Sequence, residues 1–423
     1  MTLRDYQIRA VDDVRDAFTR ARSVVLQLPT GAGKTHIAAH LLARVLERGK
    51  RAIFAAHRDD LIDATLHRLA VAGIDAGRVQ AGHVRAASPV QVCSIQTLHA
   101  RPAECPEADL VIVDECHRAA APSVRTVLDR YPRARILGLT ATPERSDGAS
   151  LGDVFEALVT GPSIAQLTAR GILVPCDVIG PSSPARELAL DLDQSIARYA
   201  PRGTSTLVFC ASVAEARALG TRDRCASIDA DTPADVRAYT LARFASGDID
   251  VLANCLLLTE GFDAPRASTL ILARGCTHAS TYLQIVGRVL RAHTTKQRAT
   301  LVDLRGHVHV HGPPDDDRIY SRDGAPIRSA RPPGLSTCTA CGCVYAPRPS
   351  CPRCGRASPP PARAMVRERA LAEISAPLVR YDRERRKARF EDLCRAAAER
   401  AWKPTAGGMI YRSEFGAWPP WPI

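Results

Sequence analysis

VVLQLPTGAGKTHIAAHLLARVL, residues Val24–Leu46, puts an apolar run, a glycine-rich turn and a helical repeat in immediate succession. A Val/Leu run without alternation suits a strand buried on both faces, and HIAAHLLARVL repeats its apolar residues at helical spacing. A glycine-rich turn between such a strand and helix aims several backbone N–H groups at one point. It adds the positive end of the helix dipole, and the result is an anion site. Within PTGAGKT, Gly31 and Gly33 let the backbone approach a phosphate, Thr30 and Ala32 complete the loop, Lys34 can reach terminal phosphates, and the Thr35 hydroxyl can ligate Mg²⁺. Leu28 stands where the widest form of this signature carries its first glycine. The GxGK[ST] core nevertheless sits in the strand, turn and helix context that nucleotide binding needs.

The same alternation continues outward. Apolar runs VVLQL, AIFAA, VQVCSI, LVIV and ILGL alternate with longer Ala/Leu/Arg segments over residues 24–140, and TLVFCA, CASIDA, DVLAN, TLILA and TLVDL do so over 206–304. Continuous runs separated by helices predict right-handed crossovers and parallel strands, so the fold class is α/β with two successive doubly wound parallel-sheet domains. Expected boundaries are 1–165 and 176–308, joined within 160–178, then a linker over 309–336, a cysteine module over 337–357 and a basic tail over 358–423. HVHVHGPPDDD in the linker carries three alternating histidines, expected on an exposed polar strand end and either metal-binding or idle.

A phosphate loop needs a second element to complete its Mg²⁺ shell, usually an Asp at the end of a neighbouring buried strand. LVIVDECH supplies one: Asp114 to hold the metal directly or through water, Glu115 to orient and deprotonate the attacking water, and His117 as a coupling residue near the γ-phosphate. The rival reading gives Cys116 and His117 a metal of their own. Adjacent ligands without distant partners make a poor tetrahedral set, and Cys116 reads better as a small buried spacer.

With PTGAGKT and DECH in this order, the chain resembles a superfamily 2 helicase of the DExH-box type. LRDYQ resembles the family's adenine-contacting segment, with Gln7 as reader and Arg4 and Tyr6 as supports. AAHRDDL (55–61) and SIQTL (94–98) stand where the family contacts nucleic acid, and LTATP (139–143) where hydrolysis is coupled to strand movement. LLLTEGFDAP (256–265), with Gly261 and Asp263 expected at the nucleotide, and QIVGRVLR (284–291) resemble the fifth and sixth motifs. Arg288 and Arg291, three apart, are expected on one helix face, both pointing into an interdomain cleft with Gln284 beside them. The resemblance spans residues 3–304 and implies two RecA-like domains, ATP in the cleft, arginines that stabilise the transition state on closure, and a nucleic-acid strand across both domains. DNA is the expected partner and RNA the alternative; protein partners are not indicated.

Cys338-x₂-Cys341 and Cys351-x₂-Cys354 are two CxxCG knuckles nine residues apart. Four thiolates at this spacing suit a closed structural Zn²⁺ ribbon, with a redox CxxC as the other reading; Cys343 is a spare. The remaining cysteines read as buried thiols rather than disulfides. Net charge is +12, which suits an anionic partner, although only five of 57 basic residues are Lys and such usage also follows from a GC-rich genome. The chain from 361 onward holds 13 basic and 8 acidic residues, a net of 13 − 8 = +5, and RYDRERRKARF reads equally as a nucleic-acid grip or a solvated helix. The end, AWKPTAGGMIYRSEFGAWPPWPI, carries every Trp and resembles the C-terminus of RadD-like DNA-repair helicases of bacteria and phages; Trp418 and Trp421 are expected to pack or to stack on bases. No apolar run reaches the roughly 20 residues of a membrane span and the start lacks a signal-peptide pattern, so a cytoplasmic, soluble protein is expected.

Overall fold

The apolar runs of the first block become β1 (Ser23–Gln27), β2 (Ala52–Ala56), β3 (Gly77–Val79), β4 (Val90–Ser94), β5 (Leu110–Val113), β6 (Arg135–Thr140) and β7 (Ala157–Thr160). The computed structural model describes residues 2–84, 86–118, 122–144, 150–185, 187–259, 262, 264–322, 327–328, 334–358 and 383–399. All pairings in this sheet are parallel, in the order β3-β4-β2-β5-β6-β1-β7. Successive side chains of each strand go to opposite faces. Leu26, Phe54, Val92, Ile112 and Leu137 thus join one apolar layer, and Val25, Ile53, Val111, Val113 and Ile136 the other. Each fully buried side chain of this kind contributes about 1.5–3 kcal/mol. Helices α1 (Asp5–Ala17), α2 (Lys34–Leu46), α3 (Asp59–Val71), α4 (Ile95–Ala100), α5 (Pro122–Leu128) and α6 (Ile164–Ala169) accompany the sheet.

The second sheet begins at β8 (Cys176–Ile179), a strand absent from the sequence reading, and continues with β9 (Thr206–Phe209), β10 (Cys225–Ser227), β11 (Val251–Asn254), β12 (Thr269–Leu272) and β13 (Ala299–Asp303). Its parallel part runs β10-β11-β9-β12-β13-β8. Helices α7 (Leu192–Tyr199), α8 (Val213–Gly220), α9 (Ala234–Ser246), α10 (Ala279–Val286) and α11 (His307–His311) belong to this part of the chain. The fold is therefore α/β, with two parallel sheets that resemble tandem RecA-like domains.

The chain beyond β13 departs from the expected plain linker. HVHVH forms α11, and each imidazole Nε2 meets a backbone carbonyl: His307 that of Arg274 at 2.9 Å, His309 that of Pro181 at 2.8 Å and His311 that of Cys276 at 2.8 Å. The three histidines pin the segment to its own domain, because alternating residues on one helical turn splay to different carbonyls where a strand would align them. Arg318 then donates to the carbonyls of His311, Pro313, Pro314 and Asp316. β14 (Arg318–Ile319) pairs antiparallel with β15 (Ile327–Arg328). Arg322 reaches back to the first domain: its carbonyl accepts from Leu151 N at 2.7 Å and Ser150 Oγ at 3.2 Å, and its guanidinium donates to the Phe155 carbonyl at 3.1 Å and to that of Glu156.

The cysteine module is continuous with the second sheet. β16 (Ser336–Thr337) and β17 (Cys343–Tyr345) form a hairpin, and β17 pairs antiparallel with β8 through Cys343↔Ile179 and Val344↔Val178. Cys343, the spare, is a buried strand residue whose carbonyl accepts from Cys338 N at 2.8 Å. All fourteen cysteines are free. Residues 360–423 form a separate unit, described over α12 (Arg383–Glu399), where Phe390 and Leu393 are buried. The tryptophans lie outside the described residues. Among the described residues no helix is long and apolar enough to cross a membrane.

Candidate active site

The phosphate loop joins β1 to α2. Gly31 and Gly33 have φ of 88° and 84°, a region that side chains disfavour. A side chain would also crowd its neighbours: a Cβ on Gly33 would lie 2.4 Å from Gln7 Nε2 and displace it, and one on Gly31 would lie 3.1 Å from both Arg291 Cγ and Leu173 Cδ2. Behind the loop, Tyr6 Oη donates to the Ala32 carbonyl at 2.8 Å and Gln7 Nε2 to the same carbonyl at 3.2 Å, while Gln7 Oε1 accepts from Arg4 N at 3.0 Å. Gln7, expected as the adenine reader, thus has both polar ends engaged, one on the loop and one at the start of α1.

In front of the loop, a cavity of about 200 Å³ is lined by Gly31, Lys34, Thr35, Asp114, Arg288 and Arg291, with Glu115 beside them. Lys34 Nζ donates to the Leu28 carbonyl at 3.1 Å, and burial pushes its pKa down against the attraction of Glu115 and Asp114. Thr35 Oγ1 accepts from Arg68 of α3 at 3.3 Å. Asp114, at the end of β5, lines the same cavity, and its Oδ1 accepts from Glu115 N at 3.0 Å. A hydroxyl and a carboxylate meeting beside a phosphate loop are hard oxygen donors that suit Mg²⁺.

Glu115 has a φ of 46°, a left-handed conformation that costs of order 1–3 kcal/mol in a non-glycine residue. The distortion swings its carboxylate into a relay. Oε2 lies 3.4 Å from His117 Nδ1 and accepts from Gln284 Nε2 of α10 at 3.4 Å, and His117 Nδ1 lies 3.2 Å from Thr140 Oγ1, at the end of β6. Thr140 Oγ1 donates in turn to the Thr142 carbonyl at 2.9 Å. Burial pushes the Glu115 carboxyl up, but the hydrogen bond from His117 and the charges of Lys34, His117 and Arg288 outweigh it and hold the group well below the usual carboxylate range. Cys116 is fully buried, its thiol pushed up by burial, with Sγ where a Cβ on Gly138 would be 2.6 Å away. It packs under β6, and the spacer reading accounts for it better than a metal does.

The two arginines reach the cavity by a route the spacing did not indicate. α10 ends at Val286, so the pair does not share a helix face. Arg288 N and Val289 N bond three residues back, to Ile285 and Val286, and tighten the chain into turns; Arg291 lies in a bridge with Leu173. Arg288 is anchored on the Thr259 carbonyl at 2.6 and 3.2 Å and on that of Phe262 at 2.5 Å. Arg291 lies over Gly31 of the phosphate loop. Gly287 packs on Thr30, whose Cβ would be 2.5 Å from a Cβ at that position.

Two family models cover this architecture in order: "Type III restriction enzyme, res subunit" matches residues 1–145 and "Helicase conserved C-terminal domain" residues 191–293. The chain carries a superfamily 2 helicase core. It is an ATP-hydrolysing enzyme core, related to helicases and to restriction-enzyme subunits. A "51.5 kDa protein" of Lactococcus phage (isolate 7-9) is 25% identical over 317 residues, which is 69% of this chain and 67% of that protein. The "Putative ATP-dependent helicase IRC3" of Saccharomyces cerevisiae is 26% identical, over 72% of this chain and 51% of its own, so the chain spans about half of that relative. Among solved structures, a fragment of a putative HsdR subunit of a type I restriction enzyme from Vibrio vulnificus superposes with a TM-score of 0.57 at 22% identity, over 76% of this chain and 69% of that one. The type ISP enzyme LlaBIII bound to DNA does so with a TM-score of 0.54 at 16% identity, over 71% and 27%. Both carry the likeness of fold.

The helicase core thus brings Lys34, Thr35, Asp114, Glu115, Arg288 and Arg291 to one cavity, with His117 and Gln284 on Glu115 and with Tyr6 and Gln7 behind the loop. Gly261 and Asp263 lie outside the described residues. Sequence reasoning missed Arg68 and the carbonyls of Thr259 and Phe262. Neither left a signal, since one is an unremarkable helix arginine and the others act through the backbone.

At the far end of the second sheet, the Sγ atoms of Cys338, Cys341, Cys351 and Cys354 all lie within 4.8 Å of one another, with Cys338 to Cys354 and Cys341 to Cys351 at 3.6 Å. A tetrahedral ion with Zn–S of about 2.3 Å places its sulfurs about 3.8 Å apart, so this donor set fits zinc. The two knuckles repeat one geometry: Gly342 N bonds the Cys338 carbonyl and Gly355 N that of Cys351, each at 2.9 Å. Backbone N–H groups of Cys341 and Ala340 pull the Cys338 thiol down, while burial pushes that of Cys341 up.

Proposed function

We propose that the protein is an ATP-driven motor that translocates on, unwinds or remodels DNA in repair, recombination or replication, of the kind that RadD-like helicases represent. The observation that carries the reading is the cross-cleft relay, in which Gln284 of the second domain and His117 of the first share the Glu115 carboxylate beneath the phosphate loop. Hydrolysis is thereby tied to domain apposition, which a static binding protein would not need. In this reading Lys34 and the loop amides bind the phosphates, and Arg4, Tyr6 and Gln7 support the adenine side. Thr35 and Asp114 would hold Mg²⁺, which would supply charge neutralisation at the phosphates. Glu115 accepts the proton of the attacking water, and His117 passes the state of that carboxylate to Thr140 and the LTATP segment. Arg288 and Arg291 stabilise the charge that develops on the transferred phosphoryl group, an effect of roughly 10³ to 10⁵ in related enzymes.

DNA is favoured as the track by the net charge of +12 and by relatives that include type I restriction subunits and a "DNA 3'-5' helicase XPB". The four cysteines would hold one structural Zn²⁺, which fixes the ribbon on the edge of the second sheet. Steady-state ATP hydrolysis measured without nucleic acid and with single-stranded DNA, forked DNA and RNA, with Lys34→Ala as control, tests the reading. Strong stimulation by DNA, and DNA affinity that falls steeply with salt, are expected. Stimulation by RNA alone would make the motor an RNA helicase, and hydrolysis unaffected by any polymer would overturn the motor.

A further inference from the structure

Lys296 is among the few lysines of this arginine-rich chain, and its side chain is inside the protein. It stands in the turn between α10 and β13, in a bridge with His293, and is 5% exposed. Its Nζ donates to the carbonyls of Ala267 at 2.7 Å, Pro265 at 2.8 Å and Val289 at 3.0 Å. A buried ammonium is costly unless its donors are satisfied. Three N–H groups here meet three carbonyls, with none left over.

The carbonyls belong to two segments that both hold the cleft arginines. Pro265 and Ala267 follow Phe262, whose carbonyl, together with that of Thr259, receives the Arg288 guanidinium. Val289 lies between Arg288 and Arg291, in the stretch where α10 has ended and the carbonyl has no helical partner ahead of it. We propose that Lys296 is a positioning residue for hydrolysis: its ammonium ties the 265–267 segment to the 288–291 turn and so fixes both arginines over the phosphate loop. The inference rests on the reading of that cleft as the hydrolytic site. Apolar residues in its place would leave three carbonyls buried and the arginine turn free to shift away from Gly31.

The charge state supplies a separate readout. The groups acting on Lys296 are Arg291 from the turn and Cys176 from β8; burial, reinforced by Arg291, lowers its pKa from 10.5 to about 8. Above that pH the amine keeps two N–H donors and turns a lone pair toward the third carbonyl, so the tie loosens and turnover falls. Stability moves the other way. Between about 8 and 10.5 the unfolded chain binds the extra proton, so this group's contribution to stability rises with pH. A residue that served only the fold would not make turnover fall where stability rises.

The test is kcat and KM for ATP, with stimulating nucleic acid, across pH values on both sides of about 8, for the wild type, Lys296→Arg and Lys296→Met. The expected results are an alkaline fall of kcat in the wild type and its absence in Lys296→Arg, which stays charged. In Lys296→Met, kcat should drop about tenfold or more, independently of pH, with KM changed far less. Wild-type kcat in Lys296→Met, or the same alkaline fall in Lys296→Arg, would overturn the proposal while leaving the hydrolytic site intact. A wild type without hydrolysis would remove both readings. Should Lys296→Met fail to fold, the wild type and Lys296→Arg profiles decide.

Discussion

In the proposed mechanism, Glu115 concentrates the chemistry of the cleft in one strained residue. Glu115→Gln should abolish turnover while ATP still binds, and retained turnover in that variant would exclude it as the base. Its pKa lies below the ordinary 4.5, so the carboxylate is ionised, and its contribution to stability is complete, above 4.5 and lost only as the pH falls toward about 2. The sign follows because a depressed acid is protonated more readily in the unfolded chain. An acid limb of turnover well above 4.5 would have to come from another group. Nearby, Gly138 shows how tightly DECH is held from behind: a Cβ there would lie 2.6 Å from Cys116 Sγ and 2.7 Å from Phe155 Cζ. Gly138→Ala should cost about 1–3 kcal/mol in urea or thermal denaturation. The identities of Lys34, Asp114 and Glu115 were legible in the sequence because strand, turn and helix follow one another locally. Lys296 was not, because a single lysine in a polar turn gains meaning only from carbonyls that the fold brings from elsewhere.

At the scale of elements, the legible strands were those buried on both faces, such as β5 and β12, whose runs are uniformly apolar. The edge strand β7 is four residues long and partly exposed, β8 interrupts its apolar residues with Asp177, and β3 is only three residues long. The spacing of Arg288 and Arg291 predicted a shared helix face, whereas the pair lines the cavity from a turn and a bridge. A helical i, i+3 face and a turn followed by a bridge bring both side chains to the same side, and sequence spacing does not separate them. At its start, this turn also packs on the phosphate loop, through the contact of Gly287 with Thr30. Gly287→Ala should push the end of α10 off the phosphate loop, so kcat should fall while nucleotide affinity, set by the first domain, stays close to wild type. Equal losses in kcat and affinity would show instead that the loop itself had moved. The triple histidine was expected on an exposed strand end, either metal-binding or idle, but each imidazole meets a backbone carbonyl.

For the whole molecule, the order of motifs anticipated two parallel sheets with a site between them. It did not anticipate how the chain beyond β13 is used. That stretch visits the first domain at Arg322 and returns to the second as the β16–β17 hairpin. No local signal marks such a path, since the pairing of Cys343 with Ile179 joins residues far apart in sequence. If the four thiolates hold one Zn²⁺, metal analysis should find about one ion per chain, and none would remove the ribbon. With zinc bound, the hairpin on β8 would also make the metal a guard. An open strand edge is a template for pairing with other chains, and β17 is what covers the edge of β8. Stripping the ion with a chelator should therefore do more than loosen a small appendage. It should bare the rim of the second sheet and make the protein sticky, visible as growth in light scattering before any loss of helix signal.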